Sequence, residues 1–65
     1  MQILLNGQPL DVPDAATLAD AVTAAAIAPP FAAAVNGQFV PRAAHAATSL
    51  NAGDQIDLVQ PVTGG

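Results

Sequence analysis

Apolar and polar residues alternate in two segments near the start of the chain, residues 1–6 and 8–12, with the period of a β-strand. Asn6-Gly7 separates them and is typical of a hairpin turn, because that turn needs positive φ at both central residues. Pro9 has no N–H to donate, so the second strand is expected at a sheet edge. The side chains predicted on the apolar faces of these strands are Ile3, Leu5, Leu10 and Val12.

The next segment has helical spacing and predicts a short amphipathic helix over residues 15–26. Thr17 is the expected N-cap, and Asp20 follows it at the spacing of a capping box. Pro29 and Pro30 end the helix, because proline cannot continue the hydrogen-bond ladder. The apolar stripe comprises Leu18, Ala21, Val22, Ala25 and Ala26.

A second hairpin is predicted around Asn36-Gly37. Its first arm is residues 32–35, although three of these are alanines and favour helices. Phe39 and Val40 form the second arm, which Pro41 ends. Residues 42–50 are expected to be irregular or to hold one helical turn.

The last strand is predicted over residues 55–60, after a turn at residues 51–54, with Ile56 and Leu58 alternating against Asp57. If this strand lies beside the first, the two pair in parallel. The pattern therefore indicates the α+β class: a small mixed sheet with one main helix on one face. We expect one domain over residues 1–60 and a flexible tail over residues 61–65, since Pro61 interrupts pairing.

Composition limits the size of the core. The chain has 65 residues and 52% hydrophobic content, much of it alanine. Large apolar side chains suffice for a thin sheet-on-helix core and leave no space for an enclosed cofactor pocket. We therefore expect this chain to bind no cofactor itself.

Charge and residue usage exclude several functions. The formal net charge is −4, and Arg42 is the only basic side chain, so nucleic acid is not an expected ligand and a basic protein partner fits better. There is no cysteine, which excludes disulfides and a cysteine nucleophile, and there is no lysine. No segment has the length and apolar character of a membrane span, and the default expectation is a cytoplasmic protein.

Catalytic and metal-binding constellations are poor. His45 is the only histidine and is expected on the surface or half-buried, with no nucleophile beside it. Asp54 and Asp57 are three residues apart but need not converge on a strand or turn, so no metal site is predicted. Arg42 is expected to form a surface ion pair or to reach an acidic group of a partner.

The sequence finishes with Gly64-Gly65. Glycine has no Cβ, so two glycines can pass through a channel that side chains would block and deliver a carboxylate to another protein's active site. Activated there with ATP, the carboxylate becomes an acyl group open to attack by sulfur or by an amine. Because the chain has no glycine-rich phosphate loop and no lysine, ATP is expected to bind the activating partner.

Four segments resemble the ThiS-type sulfur carriers of thiamine biosynthesis, which are small ubiquitin-like β-grasp proteins. The resemblance covers nearly the whole chain. Its parts are the opening MQILLNG, VNGQFVPR over residues 35–42, LNAGDQIDLVQ over residues 50–60, and Gly64-Gly65 shortly after the last strand.

The resemblance implies that an E1-like (ThiF-type) enzyme adenylates Gly65 and that the terminus becomes a thiocarboxylate. A cysteine desulfurase relay would supply the sulfur, and thiazole synthase (ThiG-type) would receive it. The chain would then be a carrier rather than an enzyme, with Gly64 required for activation. Phe39, Val59 and Val62 are the expected partner-docking residues. His45 departs from the family, whose members often have a large aromatic residue there, and Pro61 and Thr63 make the tail less apolar.

Other functions remain open at this point. One is sulfur delivery to molybdopterin or to another sulfur-requiring pathway. A second is a ubiquitin-like modifier, whose activated terminus is captured by an amine of a target protein. A third is a non-covalent interaction module that merely ends in glycine. Removing Gly65 should abolish the first two activities and spare the third.

Overall fold

The computed structural model describes residues 1–61. Within them, five strands and two short helices follow one another along the chain. The strands are β1 (Gln2–Leu5), β2 (Gln8–Asp11), β3 (Ala32–Val35), β4 (Gln38–Val40) and β5 (Gln55–Val59). The helix α1 spans Leu18–Ala25, and a 3₁₀ helix spans Arg42–Ala47.

The five strands form one mixed sheet in the order β2-β1-β5-β3-β4. The two hairpins are antiparallel, and β5 lies between them, parallel to β1 and antiparallel to β3. The last strand lies beside the first and pairs with it in parallel, as predicted for that placement. Pro9 lies in the edge strand β2, as its missing N–H predicts.

Both hairpin turns have the predicted backbone. Asn6 and Gly7 have φ values of 49° and 82°, and Asn36 and Gly37 have 51° and 85°. These positive values at both central positions match a type I′ turn, whose twist suits the flanking strands. The two Asn-Gly pairs therefore fix the registers of β1 with β2 and of β3 with β4.

The helix is shorter than predicted, because its cap lies inside the predicted range. Thr17 accepts a hydrogen bond from the backbone N–H of Asp20, and the Asp20 carboxylate accepts one from the N–H of Thr17. This capping box satisfies two donors at the helix start. Ala26 closes the other end with φ 55°, so the helix ends before the proline pair.

The core lies between α1 and one face of the sheet. Ile3, Leu18 and Ile56 are its largest fully buried side chains. Two backbone hydrogen bonds join the start of α1 to the chain after the 3₁₀ helix. They run from the Leu18 N–H to the Thr48 carbonyl (2.8 Å) and from the Leu50 N–H to the Ala16 carbonyl (3.0 Å). Neither helix in the described part of the chain is long and apolar enough to span a bilayer.

Candidate functional site

The structure fixes where the chain leaves the sheet. Val59, the last residue of β5, pairs with Ala32 at the start of β3. Gln60 follows, and its side-chain amide donates to the Ala28 carbonyl over 3.0 Å. Because both attachments lie at the same end of the sheet, Pro61 leaves the domain beside the segment that joins α1 to β3.

The Asn6 side chain extends this anchoring on the other side of β5. Its amide nitrogen donates to the Leu58 carbonyl (3.2 Å), and its amide oxygen accepts from the Leu58 N–H (2.8 Å). The described register of β1 with β5 stops at Leu5 and Ile56, so this side chain takes the place of a further strand residue. The last strand is thus held on both sides up to the point where the tail begins.

The predicted modification site lies beyond this point. Gly64 and Gly65, and the predicted docking residue Val62, lie outside the described residues, as does the predicted tail apart from Pro61. Their roles stay predictions. The structure shows only where the chain leading to them starts.

The other two predicted docking residues lie on the sheet face opposite α1. Phe39 is 69% exposed and Val59 is 62% exposed, and they are the exposed large hydrophobic residues of the described chain. Phe39 pairs with Ala34, and Val59 pairs with Ala32. Since paired residues share a face, both large side chains stand on one surface. Their Cα atoms are roughly 12 Å apart, because β3 lies between their strands and they are offset by two residues along it.

Small side chains lie between these two large ones. We call the whole surface the outer face, and it comprises Ala32, Ala34, Phe39, Asp57 and Val59. The alanines on β3 form a shallow trough, with Phe39 as one wall. Asp57 and Val59 form the other wall, so one carboxylate stands beside the apolar surface. An apolar, partly acidic surface of this kind suits an amphipathic basic partner.

The remaining candidate side chains have structural contacts. Asp54 accepts from the Asn36 amide (3.0 Å) and from the Asn51 N–H (2.8 Å), which holds the turn before β5. Asp57 lies on the outer face, and its carboxylate does not converge with that of Asp54. In residues 1–61, no group of three or more potential ligands could hold a metal ion. Arg42 is exposed and makes no ion pair with the described residues, so the expected surface ion pair is not seen within residues 1–61.

His45 is buried, with 7% exposure, and the prediction of a surface or half-buried position is wrong. Its ring stacks on Phe31 with centroids 5.8 Å apart, and Nε2 lies 3.1 Å from the Val40 carbonyl. A carbonyl only accepts, so Nε2 carries the proton. His45 therefore acts as a polar aromatic residue that fixes the 3₁₀ helix to β4.

Sequence reasoning missed the two asparagine side chains. The Asn-Gly pattern predicts only the backbone φ of Asn6 and Asn36, yet both side-chain amides bind β5. Asn6 binds at Leu58, and Asn36 accepts from the Gln55 N–H (3.0 Å). The signal available in the sequence was the repetition of Asn-Gly in both hairpins. It does not reveal which strand the side chains would reach.

The helix packed across a five-stranded sheet, with β1 and β5 parallel at its centre, defines a ubiquitin-like β-grasp protein, as predicted. The model of the ThiS family matches residues 3–65 of this sequence. The chain belongs to the ThiS family.

Two solved structures share this fold over the whole chain. The crystal structure of the thiamine biosynthesis protein ThiS from Geobacter metallireducens has 25% sequence identity and a TM-score of 0.83, with 100% of both chains covered. The NMR solution structure of a thiamine biosynthesis protein from the same organism has 25% identity and a TM-score of 0.81. It covers 100% of this chain and 88% of that one. No curated protein matches the sequence.

Proposed function

We propose that this chain is a sulfur carrier in thiamine biosynthesis and that it delivers sulfur as a thiocarboxylate at Gly65. The observation that carries the proposal is family membership over residues 3–65, which extends through the diglycine. The similarity to two thiamine biosynthesis proteins supports the choice of pathway. The anchored end of β5 supports the carrier role, because it presents the tail from a fixed point.

The chemistry proceeds in balanced steps supplied by partner enzymes. A Gly65 carboxylate oxygen attacks the α-phosphate of ATP on an E1-like, ThiF-type enzyme, and pyrophosphate leaves. A persulfide, fed by a cysteine desulfurase, then attacks the acyl carbon and displaces AMP, which gives an acyl disulfide. A second thiol attacks the donor's own sulfur in that S–S bond, forms a disulfide with it, and releases the carrier's sulfur as the thiocarboxylate. The carrier is a co-substrate in these steps and binds no ATP itself.

The proposed roles of individual residues follow from this sequence of steps. Gly65 carries the adenylate and then the sulfur, and Gly64 passes through the narrow entrance to the partner's active site, where a Cβ would clash. Phe39 and Val59, both exposed on the outer face, dock the activating enzyme and the thiazole synthase, with Val62 as a third contact. The acceptor of the sulfur is a ThiG-type thiazole synthase.

Intact mass spectrometry tests the activation. The chain is incubated with a cognate E1-like enzyme, ATP and a persulfide donor, and we expect a mass gain equal to sulfur replacing oxygen. Fragmentation must place the gain at Gly65, because oxidation of Met1 adds nearly the same mass. An unmodified Gly65 in the presence of an enzyme proven to be the partner would overturn the proposal.

Gly64→Ala tests the role of the penultimate glycine. We expect impaired adenylation with an unchanged unfolding transition, since the described core is formed by residues up to Leu58. The adenylation rate is followed by pyrophosphate release, with the parent chain as the control. Normal adenylation of Gly64→Ala would contradict the role of a narrow entrance.

A further inference from the structure

A groove of about 340 Å³ lies between α1 and the 3₁₀ helix, on the side of the sheet opposite the outer face. We call it the helix groove. One wall is the face of α1 that carries Ala19 and Val22, and the facing wall is the part of the 3₁₀ helix that carries Arg42 and Ala46. The docking proposed for the outer face and the chemistry proposed at Gly65 use neither wall.

The lining of the helix groove is mostly apolar. Val22, Ile27 and Phe31 line it, and all three are only partly buried, so they leave apolar surface in contact with water. Covering apolar surface is the main favourable contribution to association, and apolar side chains of a short peptide can enter a groove of this size. The groove therefore offers anchoring positions for the apolar side chains of a partner.

Polar lining groups beside this surface are already bonded within the chain. The Thr23 hydroxyl donates to the Ala19 carbonyl (3.0 Å), and His45 Nε2 donates to the Val40 carbonyl (3.1 Å). Small-molecule sites orient their ligand with a few precisely placed polar groups, and these two bonds take such groups out of use. A peptide segment, which is oriented by its own chain, fits the groove better than a small polar ligand does.

Arg42 gives the helix groove a charge opposite to that of the chain as a whole. It is exposed, and it is the only basic side chain in a sequence of net charge −4. None of the five aspartates lines the groove. A guanidinium binds a carboxylate with charge-assisted hydrogen bonds, and salt screens exposed charges beyond about 8–10 Å. The charge therefore favours a single acidic group next to apolar side chains, because the aspartates elsewhere repel an extended acidic surface.

We propose that the helix groove docks a short acidic and apolar segment of a partner protein, with apolar side chains against Val22 and Phe31 and a carboxylate on Arg42. This inference does not depend on the sulfur chemistry at Gly65. Because the groove and the outer face lie on opposite sides of the sheet, a partner held in the groove leaves the outer face open. The chain can then bind two proteins at the same time.

An NMR titration of the isotope-labelled chain with the peptide acetyl-Ala-Leu-Asp-Leu-Ala-amide tests the docking. We expect weak, saturable shifts of the backbone amide signals of Thr23 and Ala46, which lie on the two walls. The matched peptide has Asn in place of Asp and should bind about 1.4- to 5-fold more weakly, the effect of an exposed ion pair. A third peptide, with Ala in place of both Leu residues, should bind at least about tenfold more weakly than the first.

Arg42→Gln tests the ion pair. The variant should bind the Asp and Asn peptides equally, and it should fold normally, because Arg42 is exposed and makes no ion pair within residues 1–61. Gln8→Glu is the matched control, since it lowers the net charge by the same amount from the edge strand β2, outside the groove lining. It should keep the preference for the Asp peptide.

Two results would overturn the proposed site. The first is the absence of saturable shifts at Thr23 and Ala46, or shifts confined to the outer face at Phe39 and Val59. The second is a preference for the Asp peptide that survives in Arg42→Gln.

Three further results would replace the proposed occupant. Binding of 4-methylpentanoate at least as tightly as the Asp peptide would assign the groove to a free small carboxylate. Shifts of the same amides with protein concentration alone would assign it to a second copy. A several-fold gain in peptide affinity on removal of residues 62–65 would assign it to the chain's own C-terminal segment. Since no activating enzyme is present, these outcomes leave the sulfur-carrier proposal untouched.

Discussion

Removing the Asn6 side chain should loosen the strand that leads to the tail. Asn6→Gly introduces a residue that adopts φ 49° without steric cost, and it deletes both side-chain hydrogen bonds to Leu58. Asn36→Gly is the matched control. It has nearly the same φ and also deletes two side-chain hydrogen bonds, to Asp54 and from Gln55, but these are exposed to water.

The loss in unfolding free energy for Asn6→Gly can be worked out from the two hydrogen bonds to Leu58. Each contributes about 0.5–1.5 kcal/mol net, and the partly buried Leu58 N–H and carbonyl lose their partner together, which gives about 1–3 kcal/mol. The greater freedom of glycine in the unfolded chain adds on the order of 0.5 kcal/mol to both variants and cancels in their comparison. We expect Asn36→Gly to cost under about 1 kcal/mol, because water replaces its exposed bonds.

Urea denaturation followed by circular dichroism measures both variants. For a domain of this size, each kilocalorie per mole should also lower the Tm by about 4–8 °C. Hydrogen exchange provides the local test: the Leu58 amide should lose protection in Asn6→Gly, while the Leu4 amide, bonded to the Asp54 carbonyl over 2.9 Å, should retain it. Equal destabilisation by the two variants, or an unchanged Leu58 amide, would refute the assigned role of Asn6.

Three further predictions concern the surface, the cap and the buried histidine. Phe39→Ser should change the unfolding free energy by less than about 0.5 kcal/mol but weaken binding to the activating enzyme, measured by calorimetry, by more than about 1 kcal/mol. Gln38→Ser is the control and should leave binding unchanged. Equal binding of the two variants would exclude the outer face as the docking surface. Thr17→Ala should cost about 1 kcal/mol in urea denaturation, and a loss below a few tenths would contradict the capping box. His45→Ala should lower the free energy of unfolding by about 1–3 kcal/mol, because both the stacking and the hydrogen bond are lost. His45→Phe keeps the stacking and should lower it by about 0.5–1.5 kcal/mol. A larger loss for His45→Phe than for His45→Ala would contradict the contact with Phe31.

The parts of the fold that the sequence predicts are those with local causes. The Asn-Gly pairs need positive φ within two residues, and the capping box lies within four, so both can be inferred from neighbours in the chain. Pro9 predicts an edge strand from its own missing N–H. The helix start was placed too early, because the alanines before Thr17 favour helix while the cap sets the actual beginning.

The parts that the sequence does not predict depend on distant contacts. The Asn6 amide meets Leu58, which is 52 residues away, and only the parallel placement of β5 brings them together. His45 is polar and was expected near the surface, yet stacking on Phe31 and one carbonyl acceptor are enough to bury it. The groove between α1 and the 3₁₀ helix, lined in part by Val22 and Phe31, likewise forms only when these two helices pack side by side.

Transfer of labelled sulfur tests whether this chain delivers sulfur to a thiazole synthase. The carrier thiocarboxylate is prepared with a heavy sulfur isotope at Gly65, separated from its activating enzyme, and mixed with thiazole synthase and that enzyme's other substrates. Mass spectrometry of the product then reports the origin of its sulfur. We expect the thiazole to contain the heavy isotope and the carrier to return to a carboxylate. A thiazole without the isotope, or heavy sulfur that stays on the carrier, would contradict it.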